Sequence, residues 1–324
     1  MLSRPAGVSD DALRQALAAH WHLAVTELQY RPVGFGSHHW VVREAAGDSR
    51  FLTVDEVGRD AGPLRAALAT AVALRAAGCS FVVAPIPTNT GEPLALMGEF
   101  AVALYPLIEG RHFVGGEFAT EEHRRAVLDL VVALHRQPRA VAPAACEHDF
   151  AIPCRADLEA GLAGRAADGD GPYTRALALL LDRQGSAVRA ALAHYDALVA
   201  RVGAGARRRV ITHGEPHAAN TIATPDELVL IDWDTVLVAP PERDLWSLDT
   251  GDGRILQSYA DATGTEPAAD ALALYRLGWD LRDIAVYTRR LRRPHEGNED
   301  DEESWRGMRE TVARLATEAS AWVG

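Results

Sequence analysis

Apolar positions Leu13, Ala16 and Leu17 recur at helical spacing within DDALRQALAAHW, and Ser9 precedes them as an N-cap, so the chain is expected to open on a helix. The period then shortens. LQYRPVGFGSHHWVVREA carries apolar positions on both sides of Gly34-Phe35-Gly36-Ser37, and AGDS at 46–49 marks a second turn before RFLTVDEV. This spacing predicts an antiparallel meander with a glycine loop at one hairpin. A helix over 63–77 and further strands in FVVAPI, PLALMG and EFAVAL complete a β-rich segment. After Tyr105-Pro106 the period lengthens again: EEHRRAVLDLVVALHRQ, RALALLLDRQGSAVRAALAHYDALVARV and ALALYRLGWDLRDIAVYTRRL all repeat at 3.6 residues. The pattern predicts an α+β chain, with a β lobe over 1–104, a hinge over 105–110 and a helical lobe over 111–324. The acidic run EGNEDDEE reads as an exposed loop or helix start.

Composition narrows the partners. A net charge of −12 over 324 residues disfavours nucleic acid and anionic membrane surfaces and favours cationic molecules or metal-chelated anions. No run approaches the roughly 18 to 20 apolar residues of a membrane helix, and the first residues lack a signal-peptide core, so a cytoplasmic location is expected. The 33 basic side chains are all arginine, and the chain contains no lysine. Chemistry that depends on an active-site lysine of this chain is therefore excluded.

The densest chemistry lies in THGEPHAAN, residues 212–220, followed by LVLIDWD. A carboxylate and an amide five residues apart, with Asp232 and Asp234 close behind, gather the oxygen ligands a hard divalent cation takes. Phosphoryl transfer uses such a set: a carboxylate orients the hydroxyl, while an amide and a second carboxylate hold magnesium on the phosphates. The order of these motifs resembles the aminoglycoside phosphotransferase and choline kinase superfamily, whose catalytic loop reads HGDxxxxN and whose metal strand carries IDxx. IDWDTVLVAPPERDLW, LYPLI and LYRLGWDLRDIAVY are most similar to its spectinomycin phosphotransferase branch, and the resemblance spans nearly the whole chain.

The resemblance implies a bilobal protein-kinase-like fold, with a small antiparallel β-sheet N-lobe and a mostly α-helical C-lobe. It implies Mg2+-dependent transfer of the γ-phosphoryl group of ATP, or GTP, to a hydroxyl of a small cationic antibiotic-like acceptor of aminoglycoside or aminocyclitol type. In that scheme His213 braces the catalytic loop, Glu215 stands at the base position, Asn220 and Asp232 ligate magnesium, and Asp244 buttresses the loop. Gly34, Phe35, Gly36 and Ser37 lie over the triphosphate, while Tyr105 and Leu107 frame the adenine. Asp234, Asp249 and Asp252 are candidate acceptor contacts.

Asp280, Asp283 and Tyr287 share one helical face, which suits an amine-bearing acceptor or, with Arg276, a surface ladder. His38 and His39 read as packing or surface residues. Three departures stand out: Thr53 occupies the position of the family's nucleotide lysine, no glutamate lies between Glu56 and Glu92 to pair with one, and Glu215 replaces aspartate. Arg43, Arg59 and Arg65 are the candidate substitute cations. Two other readings remain open, a kinase for choline, a sugar or a nucleoside, and a nucleotide-binding pseudokinase.

Overall fold

The computed structural model describes residues 1–58, 60–205 and 207–319. In chain order it contains α1 (Asp10–Trp21), β1 (Val25–Arg31), β2 (His38–Glu44), β3 (Ser49–Glu56), α2 (Gly62–Ala76), β4 (Ala95–Met97), β5 (Phe100–Pro106) and β6 (Arg111–His112). There follow α3 (Glu121–His135), α4 (Arg155–Leu162), α5 (Thr174–Ala204), β7 (Val210–Thr212), β8 (Thr221–Ala223), β9 (Leu228–Leu230) and β10 (Leu237–Ala239). The last helices are α6 (Glu242–Leu245), α7 (Arg254–Thr263), α8 (Ala269–Arg292) and α9 (Glu299–Glu318). Two compact units result, Met1–His148 with Arg208–Pro267, and Asp149–Arg207 with Ala268–Gly324.

In the first unit, five antiparallel strands run in the order β1-β2-β3-β5-β4. Ser9 caps α1 by accepting from the Ala12 amide at 3.1 Å, and α1 buries Leu13, Leu17 and Trp21 against Trp40, Leu52, Val54, Val102 and Leu104. Strand side chains alternate between faces. Thr53 and Asp55 consequently project from the face opposite Leu52 and Val54, the side on which Ala101, Ala103 and Tyr105 meet Leu68 of α2.

Below this sheet the same unit holds the pair β7–β10 and the sheet β6-β8-β9. Their core centres on Trp233, which is fully buried with Leu134, Ile211 and Leu230. FVVAPI, expected as a strand, is irregular and joins the sheet only at an isolated bridge between Val82 and Leu230. Pro85 and Pro87 flank Ile86 there and lack the N–H groups a ladder requires.

The second unit packs α4, α5, α8 and α9 around Leu181, Val188, Leu192, Leu281, Ile284 and Met308. The acidic run starts α9: Asn298 accepts from the Asp301 amide while Asp301 accepts from the Asn298 amide, a reciprocal cap. No helix among the described residues is long and apolar enough to cross a membrane.

Candidate active site

β7 ends at Thr212 and delivers residues 213–220 into a turn held both by its own hydrogen bonds and by bonds to Ile231, Thr235 and Asp244. His213 is buried. Its Nε2 lies 2.9 Å from the Ile231 carbonyl, which can only accept, and its Nδ1 lies 3.2 Å from the Glu215 amide, which can only donate. These partners fix a neutral ring protonated at Nε2. Burial drives the His213 pKa down to about 4, against the nearby Asp244 charge, so the ring serves as a fixed strut.

Asp244, on α6, accepts from the His213 and Gly214 amides at 2.8 and 2.6 Å and from His135 Nε2 at 3.0 Å. His135 Nδ1 in turn lies 2.9 Å from the Tyr259 hydroxyl. Burial alone would raise the Asp244 carboxyl, but the His135 hydrogen bond and charge, with Arg243 and His213, hold it below the ordinary carboxylate value. The motif ERDLW is thus the floor of the turn.

Asn220 is buried, and its Nδ2 donates to the Glu215 main-chain oxygen at 3.0 Å. Its carbonyl accepts from the Ile231 amide at 3.0 Å, which aligns the second acidic segment with the first. The expected strand through Asp232 stops early, at Leu230. Asp232 adopts a left-handed backbone with φ 66°, and a single 3-10 turn, Trp233–Thr235, follows. Trp233 anchors that turn by donating to the Leu230 carbonyl at 2.8 Å and packing edge-on against His213, 4.7 Å between ring centres. The turn sets Asp234 within hydrogen-bonding reach of the Asp232 carboxyl.

The electrostatics show what has been gathered. Burial raises the Asp232 carboxyl well above its ordinary value, and Asp234, Glu215 and Asp55 add to the shift. The Tyr105 phenol is raised by burial and by Asp55, Asp234 and Asp232, and it shares a hydrogen bond with the Thr53 side chain. Asp234, Glu215 and Asp55 thus lie within electrostatic reach of Asp232, and Asp55, Asp234 and Asp232 within reach of the Thr53–Tyr105 pair. This donor set fits magnesium: hard oxygens, including the side-chain oxygen of Asn220, whose Nδ2 donates to Glu215. Among the described residues no three His, Cys, Asp or Glu side chains form a preformed metal cage.

Asp55 escaped the sequence reading. It lies two residues beyond Thr53 and on the same face of β3, and it accepts a hydrogen bond from the Ser37 hydroxyl of the glycine loop. Burial pushes its pKa up from 3.8 to about 7; the Ser37 hydrogen bond opposes the rise, Asp234 adds to it and the Met1 amino group opposes it. An aspartate raised on folding opposes folding above its unfolded pKa, and the penalty grows until the pH passes the folded value, here between about 4 and 7. Asp55→Asn is therefore expected to stabilise the protein by about 2–4 kcal/mol at pH 8 and by much less at pH 5. Thermal midpoints of both proteins at the two pH values test this, and an equal difference at both would contradict it.

The remaining candidates divide by location. Gly34 and Gly36 have φ of 72° and 100°, Phe35 is 46% exposed, and His39 lies beneath Gly34, stacked on Phe51. Leu107 is exposed just past β5. Asp249 closes a turn by accepting from the Gly251 amide, and Asp252 accepts from the Arg254 amide and side chain at the start of α7. Asp280 is bound by Arg314 within the second unit, and there burial and Asp283 raise the Tyr287 phenol. Of the candidate cations, Arg43 pairs with Glu27 near the end of β2 remote from the glycine loop, Arg65 pairs with Glu92, and Arg59 lies outside the described residues.

The sequence model of the phosphotransferase enzyme family matches residues 27–287. Protein StrN of Streptomyces griseus is 30% identical over 248 residues, 72% of either chain. The structure of spectinomycin phosphotransferase APH(9)-Ia in complex with ADP and spectinomycin matches with a TM-score of 0.71 at 18% identity, covering 97% of this chain and 99% of that one. Amicoumacin kinase hAmiN, solved with AMP-PNP, Ca2+ and Ami, matches with a TM-score of 0.60 at 12% identity, covering 95% and 94%. At these identities the structural likeness speaks for the fold.

Proposed function

We propose that this chain, which belongs to the phosphotransferase enzyme family, transfers the γ-phosphoryl group of ATP to a hydroxyl of a small cationic molecule of the aminocyclitol or aminoglycoside type. One observation carries the reading: Glu215, Asn220 and Asp232 are held on two turns, the first braced by the buried Asp244 carboxylate and the second joined to it by the Ile231–Asn220 hydrogen bond. The relatives support the acceptor class, since the structural neighbours named above include kinases solved with antibiotics. The carboxylates Asp55 and Asp234 supply the charge to which an ammonium-bearing acceptor is drawn.

In this scheme Glu215 accepts a hydrogen bond from the acceptor hydroxyl and aligns its oxygen with the γ-phosphorus. The new P–O bond forms as the bond to the β–γ bridging oxygen breaks, the electron pair leaves with ADP, and the hydroxyl proton passes to Glu215. Asn220 and Asp232 would hold magnesium, which when bound neutralises charge on the phosphate oxygens. Asp244 and His213 keep the turn rigid and touch neither substrate.

Thr53 in the lysine position favours one second reading, a pseudokinase that binds nucleotide without transferring it. A panel of aminocyclitols, aminoglycosides, peptide antibiotics, choline, sugars and nucleosides, each with ATP and Mg2+, separates the readings by acceptor-dependent ADP release. Release with cationic antibiotics supports the proposal. Release only with choline, a sugar or a nucleoside would reassign the acceptor, and nucleotide binding without release across the panel would favour the pseudokinase.

A further inference from the structure

Arg243 is 4% exposed and lies directly beneath the catalytic turn. Its Nη1 donates to Thr212 Oγ1 at 2.8 Å and its Nη2 donates to the Thr235 carbonyl at 2.7 Å. Those two acceptors belong to different segments. Thr212 is the last residue before the turn that carries Glu215, whereas Thr235 closes the turn that carries Asp232 and Asp234. Each acceptor is itself fixed: Thr212 Oγ1 donates to the Leu237 carbonyl at 2.9 Å, and Thr235 Oγ1 donates to the His213 carbonyl at 2.7 Å.

Gly214 makes room for this arrangement. It has φ 101°, and a Cβ placed on it would land inside the Arg243 guanidinium. Both the missing side chain and the left-handed backbone are thus required where the two turns approach each other. Asp244, the next residue, binds the His213 and Gly214 amides, so adjacent residues of α6 hold the catalytic turn through its N–H groups and the metal turn through a carbonyl.

We infer that Arg243 is a positioning residue that sets the distance between Glu215 and the Asp232–Asp234 turn. The inference rests on the phosphotransferase reading, because only in-line transfer makes that distance matter. A guanidinium can reach two separated acceptors with a rigid planar fork, and an ammonium on a flexible stem cannot hold the same pair at fixed separation. A misplacement of about an ångström between reacting groups costs roughly 100-fold in rate.

Arg243→Lys and the milder Thr212→Val test it on the full chain. Three quantities are measured for each: turnover of ATP with the best acceptor, the KM for ATP, and Mn2+·ADP affinity by water-proton relaxation. Arg243→Lys is expected to lose about 100-fold in kcat while the KM and the Mn2+·ADP affinity stay within about threefold of wild type. Thr212→Val is expected to lose about tenfold in kcat with the same pattern, and the double variant to be no worse than Arg243→Lys, since both changes cut one link. Retention of more than a third of wild-type kcat by Arg243→Lys would overturn the inference. So would an Mn2+·ADP affinity that falls in step with kcat, which marks general collapse of the site. If Arg243→Lys does not fold, unchanged kcat in Thr212→Val would overturn it. A wild-type protein that binds no Mn2+·ADP would remove the phosphotransferase reading itself, and the inference with it.

Discussion

Asp232→Asn is expected to lower turnover by at least about 1,000-fold while making the protein more stable, by about 1–3 kcal/mol. The two effects have one cause. Burial and the charges of Asp234, Glu215 and Asp55 make an ionised Asp232 costly in the folded chain, and a bound cation would offset that cost. Asparagine removes the charge, keeps the size and tolerates the left-handed backbone at this position. Loss of function with gain of stability marks a residue kept for ligand binding. Thermal midpoints at neutral pH without metal, together with turnover at saturating magnesium, decide the matter. If the variant kept more than about a tenth of the wild-type rate, the metal contact would belong to Asp234.

Glu215→Ala is expected to lower kcat by about 100- to 10,000-fold with little change in the KM for ATP. The separation of kcat from KM follows from the atoms involved. The backbone of residue 215 makes two of the hydrogen bonds that hold the turn: its amide donates to His213 Nδ1 and its carbonyl accepts from Asn220 Nδ2. Alanine retains both, so these two bonds, including the one to the Asn220 amide, persist while the carboxylate disappears. Steady-state kinetics at varied ATP measures the split. Unchanged kcat would assign the base elsewhere, and a KM that rises as steeply as kcat falls would mean that Glu215 contacts nucleotide.

Much of this was legible in the sequence because short-range rules govern it. Ser9 as a cap, the glycine loop between β1 and β2, and the long periodic helices α5 and α8 follow from spacing and turn chemistry alone. What escaped depends on contacts distant in sequence. FVVAPI is apolar enough for a strand, but Pro85 within it and Pro87 just after it lack the N–H groups a ladder requires, and it forms an isolated bridge instead. The departure of Asp232 from strand geometry is set by Trp233, which must reach the core beneath His213. Asp280 and Arg276 are well spaced on one helix, yet Arg314 from α9 takes the carboxylate.

Asp55 and Arg243 were visible as letters without a role. By the period-two rule Asp55 shares a face with Thr53, so a carboxyl group stands beside the position where the family resemblance implies a cation. Arg243 sits inside ERDLW, a motif read only for its aspartate. Its function in the fold depends on Gly214 and Thr235, which lie 29 and 8 positions away by residue number, and no local pattern joins them.

Transfer of a labelled γ-phosphoryl group tests the central claim most directly. ATP carrying the label in that group is incubated with the full chain, Mg2+ and each cationic antibiotic, and the products are resolved by mass. The account predicts label on a hydroxyl oxygen of one acceptor, in equal amount to the ADP formed, dependent on magnesium and lost in Glu215→Ala and Asp232→Asn. Label found only in inorganic phosphate, or retained in bound ATP with every acceptor, would contradict it.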